Sequence, residues 1–146
     1  MARTGKEQYV MGALPLLANA LVAFGDGVVE GLSYRQFYLL SMIQRMGGAD
    51  KSVARIAEFC GSTRQNIRRM LDALADKGLV ELAPSPFDGR ALSVKLTRRG
   101  RSLIERQAAQ VNGRVAELLE PLSDAELDAL VADLGRLAAC IDAAAE

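Results

Sequence analysis

The chain predicts a mostly helical α+β fold, with one small β-hairpin set among helices. Three observations carry this. Half of the 146 residues are apolar while only 5% are aromatic, a composition that favours helix over sandwich or barrel. Apolar residues recur at helical spacing through most of the chain. Two short alternating runs flank Pro84, Pro86 and Asp88-Gly89, the turn chemistry of a single hairpin.

Composition also narrows the chemistry. Histidine is absent, which argues against zinc sites, histidine acid–base work and catalytic triads, so neither a metal, a cofactor nor an enzyme is expected. Cys60 and Cys140 stand far apart and form no metal or redox motif, so a reducing cytoplasm is the expected compartment. The net charge of zero conceals a polarised chain. Residues 51–101 hold eleven Lys or Arg against five acids, a net +6, and the remainder carries the compensating −6. A basic middle between acidic flanks suits a polyanion-binding module.

In chain order, Arg3 and Lys6 precede an apolar run over 10–24, and Ala18-Asn19-Ala20 imitates a signal-peptidase site. Glu7, Gln8 and Asn19 interrupt that pattern, so export is not expected. No uninterrupted apolar run reaches about 18 residues, so no membrane span is expected either. The stretch predicts a first helix over 7–24, with Pro15 bending it or shifting its start. Its apolar surface is broad enough to call for a partner. Gly25, Gly27 and Gly31 mark a loop. Ser33 caps a second helix over 34–46, ended by Gly47-Gly48. Phe24, Tyr34 and Tyr38 are candidates for an effector pocket; the alternative for the tyrosines is packing with hydroxyls at a rim.

Residues 53–59 predict a short helix and Cys60-Gly61-Ser62 a tight turn. Ser62 with Gln65 resembles a capping box opening a helix over 62–77, and Gly78 supplies its left-handed stop. Ala57, Gly61 and Ile67 are the small, turn and wedge residues of a helix-turn-helix, with Ile56, Cys60 and Met70 adding apolar contacts. Ile67, Met70, Leu71 and Leu74 form the buried stripe of the second helix. Gln65, Arg68, Arg69 and Asp72 lie opposite, with Arg64 and Asn66 at the margins. Arg, Gln and Asn are the side chains that make paired hydrogen bonds to purine edges, so this is read as a DNA recognition helix, with Ser62 and Thr63 offering phosphate contacts. Cys60 reads as a small core residue or, alternatively, a redox-switch thiol.

Strands are expected over 79–82 and 92–96, with a tip carrying Asp88 and Arg90. Helix-turn-helix followed by such a hairpin is a winged helix. Arg90 can enter a narrow minor groove, and Asp88 either pairs with it or merely turns the chain. Thr97 caps a helix over 98–119 whose Ile104, Ala108, Val111, Val115 and Leu118 form a seam, with Asn112-Gly113 weakening its regularity. After Pro121, Ser123 and Glu126 form another capping box. A last helix then runs to about residue 143 with a seam of Leu127, Leu130, Leu134, Leu137 and Ile141. Cys140 lies on or near it, as packing or an inter-subunit disulfide.

Residues 88–100, Asp-Gly-Arg-Ala-Leu-Ser-Val-Lys-Leu-Thr-Arg-Arg-Gly, resemble the wing signature of the MarR (multiple antibiotic resistance regulator) family, D-x-R-(S/A)-x-x-V-x-L-T-x-x-G. Residues 71–80 are similar to the end of that family's recognition helix, and 122–127 to the start of its last helix. The resemblance covers nearly the whole chain. It implies a homodimeric winged helix-turn-helix transcription factor, with a lobe over 33–97 and dimerisation helices over 1–32 and 98–146. It implies binding to pseudo-palindromic double-stranded DNA, with release by a small-molecule effector or by thiol oxidation. The family's peroxide sensors carry a reactive cysteine in the first helix; this chain has none there. A winged helix used for protein–protein contact is the remaining alternative.

Overall fold

The computed structural model describes residues 1–47 and 51–144. The elements are α1 (Arg3–Asp26), α2 (Tyr34–Arg45), α3 (Val53–Cys60), α4 (Arg64–Asp76), β1 (Val80–Pro84), β2 (Leu92–Leu96), α5 (Arg98–Leu119) and α6 (Asp124–Ala144). They form two compact units, Met1–Val111 and Asn112–Glu146, with the division inside α5.

In the first unit, α1 starts earlier than its pattern suggests. An Arg3–Glu7 ion pair one turn apart supports the extra turn, and Pro15 sits inside a helix that continues past it. Only Gly25 of α1 is buried. A Cβ there would lie 2.1 Å from the Tyr34 ring, so glycine is what lets the end of α1 seat against the start of α2. The helix is 24 residues long and contains an 18-residue window of mean hydropathy 1.4. By length and composition alone it is long and apolar enough to cross a bilayer, a test that a signal sequence or the core helix of a soluble protein also passes.

Ser33 caps α2 as expected, and Gln36 completes a capping box. The helix ends at Arg45, one residue short of expectation. Of the Gly47-Gly48 stop, Gly48 lies outside the described residues. Ser52 caps α3 by accepting from the Arg55 amide. The lobe's centre is Leu40 and Ile43 of α2, Ile56 of α3, Leu71 and Leu74 of α4, and Leu79 beyond it, all fully buried. Each such side chain contributes about 1.5–3 kcal/mol on burial, and together they fix the pose of α4.

The hairpin pairs β1 with β2 antiparallel, Val80 opposite Leu96 and Pro84 opposite Leu92. β1 begins one residue later than expected and runs on to Pro84, tolerated because that end lies at the edge of a two-stranded sheet. On its other side β2 meets the segment before α3, through a Ser52–Ser93 bridge and the Val94 amide donating to the Lys51 carbonyl at 2.9 Å. The wing root is therefore held from both sides.

The junction of the lobe with α5 is built from two residues of the wing signature. The Thr97 hydroxyl donates to the Gly78 carbonyl at 2.8 Å and accepts from the Gly100 amide at 3.0 Å. Gly100 is buried, and a Cβ on it would sit 2.2 Å from the Leu79 carbonyl oxygen. The α5 backbone thus lies directly against the stop of α4. Asn112-Gly113 does not interrupt α5.

In the second unit, Ser123 and Glu126 form the expected capping box. The Ser123 hydroxyl and amide hold the Glu126 carboxyl below the ordinary carboxylate range. No residue of α6 is buried.

Candidate nucleic-acid interface

The turn between α3 and α4 decides how α4 presents its side chains. Gly61 adopts φ +60°, its amide bonded to Glu58 and the Ser62 amide to the Ala57 carbonyl at 2.9 Å. That pair of bonds closes α3 in the way a glycine stop does. Ser62 is therefore committed to ending α3, and the expected Ser62–Gln65 capping box does not form. Thr63 is the N-cap instead, its hydroxyl accepting from the Asn66 amide at 3.1 Å, so the helix is Arg64–Asp76 rather than 62–77. Gly78, at φ +70°, closes α4 with the same pair of bonds, Gly78 to Ala75 and Leu79 to Leu74.

This one-residue shift places Asn66 at the centre of a hydrogen-bonded row. Its side-chain amide donates to the Ser62 hydroxyl at 3.0 Å, and its carbonyl oxygen accepts from Arg69 at 3.1 Å. Ser62, Asn66 and Arg69 are thereby linked along one face. Arg64, Gln65, Arg68 and Arg69 are exposed, and Asn66 is half-buried, while Ile67, Leu71 and Leu74 face inward. Arg68 pairs with Asp72 at 2.9 Å, both about half exposed. Such a pair is worth about 0.3–0.5 kcal/mol, so Arg68 can leave it for a phosphate at little cost.

Clefts flank α4 on both sides. One of about 280 Å³ is lined by Ser33, Arg35 and Gln36 of the α2 start and Asn66, Arg69, Met70 and Ala73 of α4. The other, about 450 Å³, lies between α3 and α4 and includes Arg55, Ser62, Thr63 and Arg64. Arg35 and Arg55 escape a sequence reading because their relation to α4 is purely spatial; the basic charge of each was visible, its neighbour was not.

At the wing, Asp88 is a turn residue. Its carboxylate accepts from the Arg90 amide at 3.0 Å and its carbonyl from the Ala91 amide. No Asp88–Arg90 ion pair occurs among the described residues, a correction to that reading: two residues apart in a tight turn, the carboxylate reaches the nearer backbone donor first. The buried Ser85 hydroxyl accepts from the Phe87 and Asp88 amides at 3.2 and 3.4 Å. Arg90 is exposed at the tip.

The remaining candidates lie elsewhere. Phe24 and Tyr34 are half-buried at the α1–α2 junction and Tyr38 is exposed, with the two tyrosine rings 6.4 Å apart and tilted. Burial, then Tyr38, push the Tyr34 hydroxyl's pKa up. Cys60 is half-buried at the end of α3, and burial pushes its thiol up, away from the reactive thiolate. Cys140 is exposed on α6. Peroxide sufficient to oxidise a low-pKa thiol within minutes is expected to leave Cys60 reduced. Mass spectrometry of the treated protein checks this, and rapid sulfenic acid formation at Cys60 would overturn it.

The MarR family model matches residues 30–91, from the loop before α2 to the end of the wing turn. Among solved structures, the chain is similar to a MarR/EmrR family transcriptional regulator from Acinetobacter sp. ADP1. The identity is 24%, with 93% of this chain and 96% of that one covered and a TM-score of 0.80. It is similar to a mutant MarR from E. coli complexed with operator DNA, at 25% identity, 93% and 99% coverage and a TM-score of 0.75. It is also similar to the PcaV transcriptional regulator from Streptomyces coelicolor in complex with its natural ligand, at 24% identity, 92% coverage of both chains and a TM-score of 0.73. The MarR family model is thus matched over the lobe, residues 30–91, and the winged helix-turn-helix fold of solved MarR-family transcriptional regulators is matched over nearly the full length of the chain.

Proposed function

We propose that the chain acts in the cytoplasm as a homodimeric repressor that binds a pseudo-palindromic operator and is released by a small-molecule effector. The observation that carries this reading is the linked polar face of α4. Thirteen residues of helix present Arg64, Gln65, Arg68 and Arg69 outward, with Asn66 ordered by two side-chain hydrogen bonds. A major groove about 12 Å wide admits one such helix. Side chains ordered beforehand lose less entropy on binding. Ser62 and Thr63 meet phosphates at the helix start, and Arg90, positioned by the Asp88 turn, enters the minor groove on either side. The E. coli neighbour's complex with operator DNA supports the same use of this fold.

The dimer covers what the folded chain leaves bare. Leu16 is 71% exposed on α1 and Val131 72% exposed on α6, with Tyr9, Met11, Leu17, Leu134 and Ile141 also outside. On this reading residues 1–32 and 98–146 serve assembly and 33–97 serve DNA, with two copies of α4 roughly 34 Å apart in successive major grooves.

Release needs a link from the effector to α4. The Gln107 side-chain amide clamps Glu30 through both its amide and carbonyl, at 3.0 and 2.8 Å. The Lys77 ammonium donates to the Gly31 carbonyl at 3.1 Å. The loop after α1 is thus tied to α5 on one side and to the end of α4 on the other. An effector seated near Phe24, Tyr34 and Tyr38 acts on the spacing of the α4 pair in proportion to its differential affinity for the two spacings. The PcaV neighbour was solved with its natural ligand, which supports an effector for this fold.

The test is selection of genomic fragments by the purified protein, followed by titration of the recovered duplex. Binding that weakens steeply with salt is expected. Arg69→Ala is expected to lower affinity by about 1–3 kcal/mol, and unchanged affinity would remove Arg69 from the interface. No duplex binding at low salt would leave the winged helix as a protein-contact module.

A further inference from the structure

We infer that Phe87 is a wedge residue of the wing, pushing its ring into the minor groove beside Arg90 and unstacking a base step there. This rests on the DNA-binding reading above. Of the four phenylalanines, Phe37 is buried, Phe24 is half-buried, and Phe59 and Phe87 are exposed, Phe87 the most so at 67%. It belongs to the same tight turn as Arg90, between Ser85 and Ala91.

The turn holds Phe87 out. The Ser85 amide donates to the Ala91 carbonyl at 2.8 Å and closes the loop. Inside the closure, the buried Ser85 hydroxyl accepts the Phe87 amide, and Pro86 fixes the backbone torsion between them. Asp88 then accepts the Arg90 amide. The backbone donors of Phe87, Asp88, Arg90 and Ala91 are thus all engaged within the loop. The ring's exposure follows from this ordered turn rather than from a slack one. The backbone entropy that ordering this turn on DNA would otherwise cost is already spent on folding.

The minor groove is the occupant that fits. Beside an arginine placed for the groove's negative potential, an apolar ring finds no partner on the base edges, and its apolar surface is covered only between base planes once a step opens. Apolar wedges from minor-groove proteins part a base step and bend the duplex by roughly 20–90°. Pyrimidine–purine steps part most readily. Phe87 thus adds a preference for such a step under each wing, at a position where neither α4 nor Arg90 reads a base edge.

The test uses a duplex recovered by the protein from genomic fragments, carrying 2-aminopurine in turn at the steps flanking each half-site, and a second copy end-labelled for energy transfer. With the wild-type protein, fluorescence is expected to rise at one step per half-site and the ends to approach. With Phe87→Ala, both signals are expected to vanish and affinity to fall about tenfold, while Phe87→Leu keeps a reduced bend. Circular dichroism should match for all three, because the ring packs against little of its own chain. Tight binding by the wild type with no fluorescence rise, or Phe87→Ala behaving as wild type, would overturn the wedge and leave the DNA reading standing. Absence of any duplex binding would remove both.

Discussion

Gly100→Ala is expected to destabilise the lobe by about 3 kcal/mol, at the upper end of the overpacking range, and to lower the melting temperature by roughly 6–12 °C. The added methyl would lie 2.2 Å from the Leu79 carbonyl oxygen and 3.1 Å from its carbon. That neighbour is backbone, and it cannot swing aside as a side chain would. Leu79 is itself fully buried, and its carbonyl accepts from the Thr97 amide at 3.1 Å. Relief therefore requires α5 to lift off the end of α4, which stretches the Thr97–Gly78 bond as well. Gly113→Ala is the control. It lies within the same helix with nothing within 4 Å of the added carbon, and it should stabilise by about 0.5–1 kcal/mol through helix propensity. Urea denaturation of both variants checks the pair. Equal stabilities would mean that the α5 contact is not tight.

A glutamate at Leu16 of α1, or at Leu134 of α6, is expected to convert the protein to a monomer and weaken operator binding by roughly 10²–10⁴-fold. That factor is the loss of effective concentration when a second half-site contact ceases to be intramolecular. Both side chains are exposed in the folded chain, Leu16 by 71% and Leu134 by 48%, so a charge there meets water rather than the core, and each unit should keep its helical content. In the proposed dimer each glutamate would be buried against an apolar partner surface without a counter-charge, which no interface of ordinary size tolerates cheaply. Sedimentation equilibrium and a DNA titration on the same samples check the two effects together. A variant that stays dimeric and binds as wild type would place the interface elsewhere.

The sequence by itself determined the element order, the two helix-stop glycines at 61 and 78, the hairpin and the stripe of Ile67, Leu71 and Leu74. These rest on local rules, in which apolar periodicity, glycine at positive φ and turn residues act over a few positions and need no partner far along the chain. It also marked the residues of the polar face of α4, since that face is the complement of the buried stripe. What it misjudged was which of two adjacent hydroxyl residues caps α4. Ser62 and Thr63 are both competent caps; the choice fell to Thr63 because the Ser62 amide is used to close α3, a fact about the preceding helix. Tertiary structure alone decided the rest. It set Asn66 between Ser62 and Arg69, brought Arg35 and Arg55 to the clefts beside α4, and laid Gly100 against Leu79. Those relations join residues whose distance depends on how helices cross, and helix crossing is set by the packing of the whole core rather than by any window of sequence.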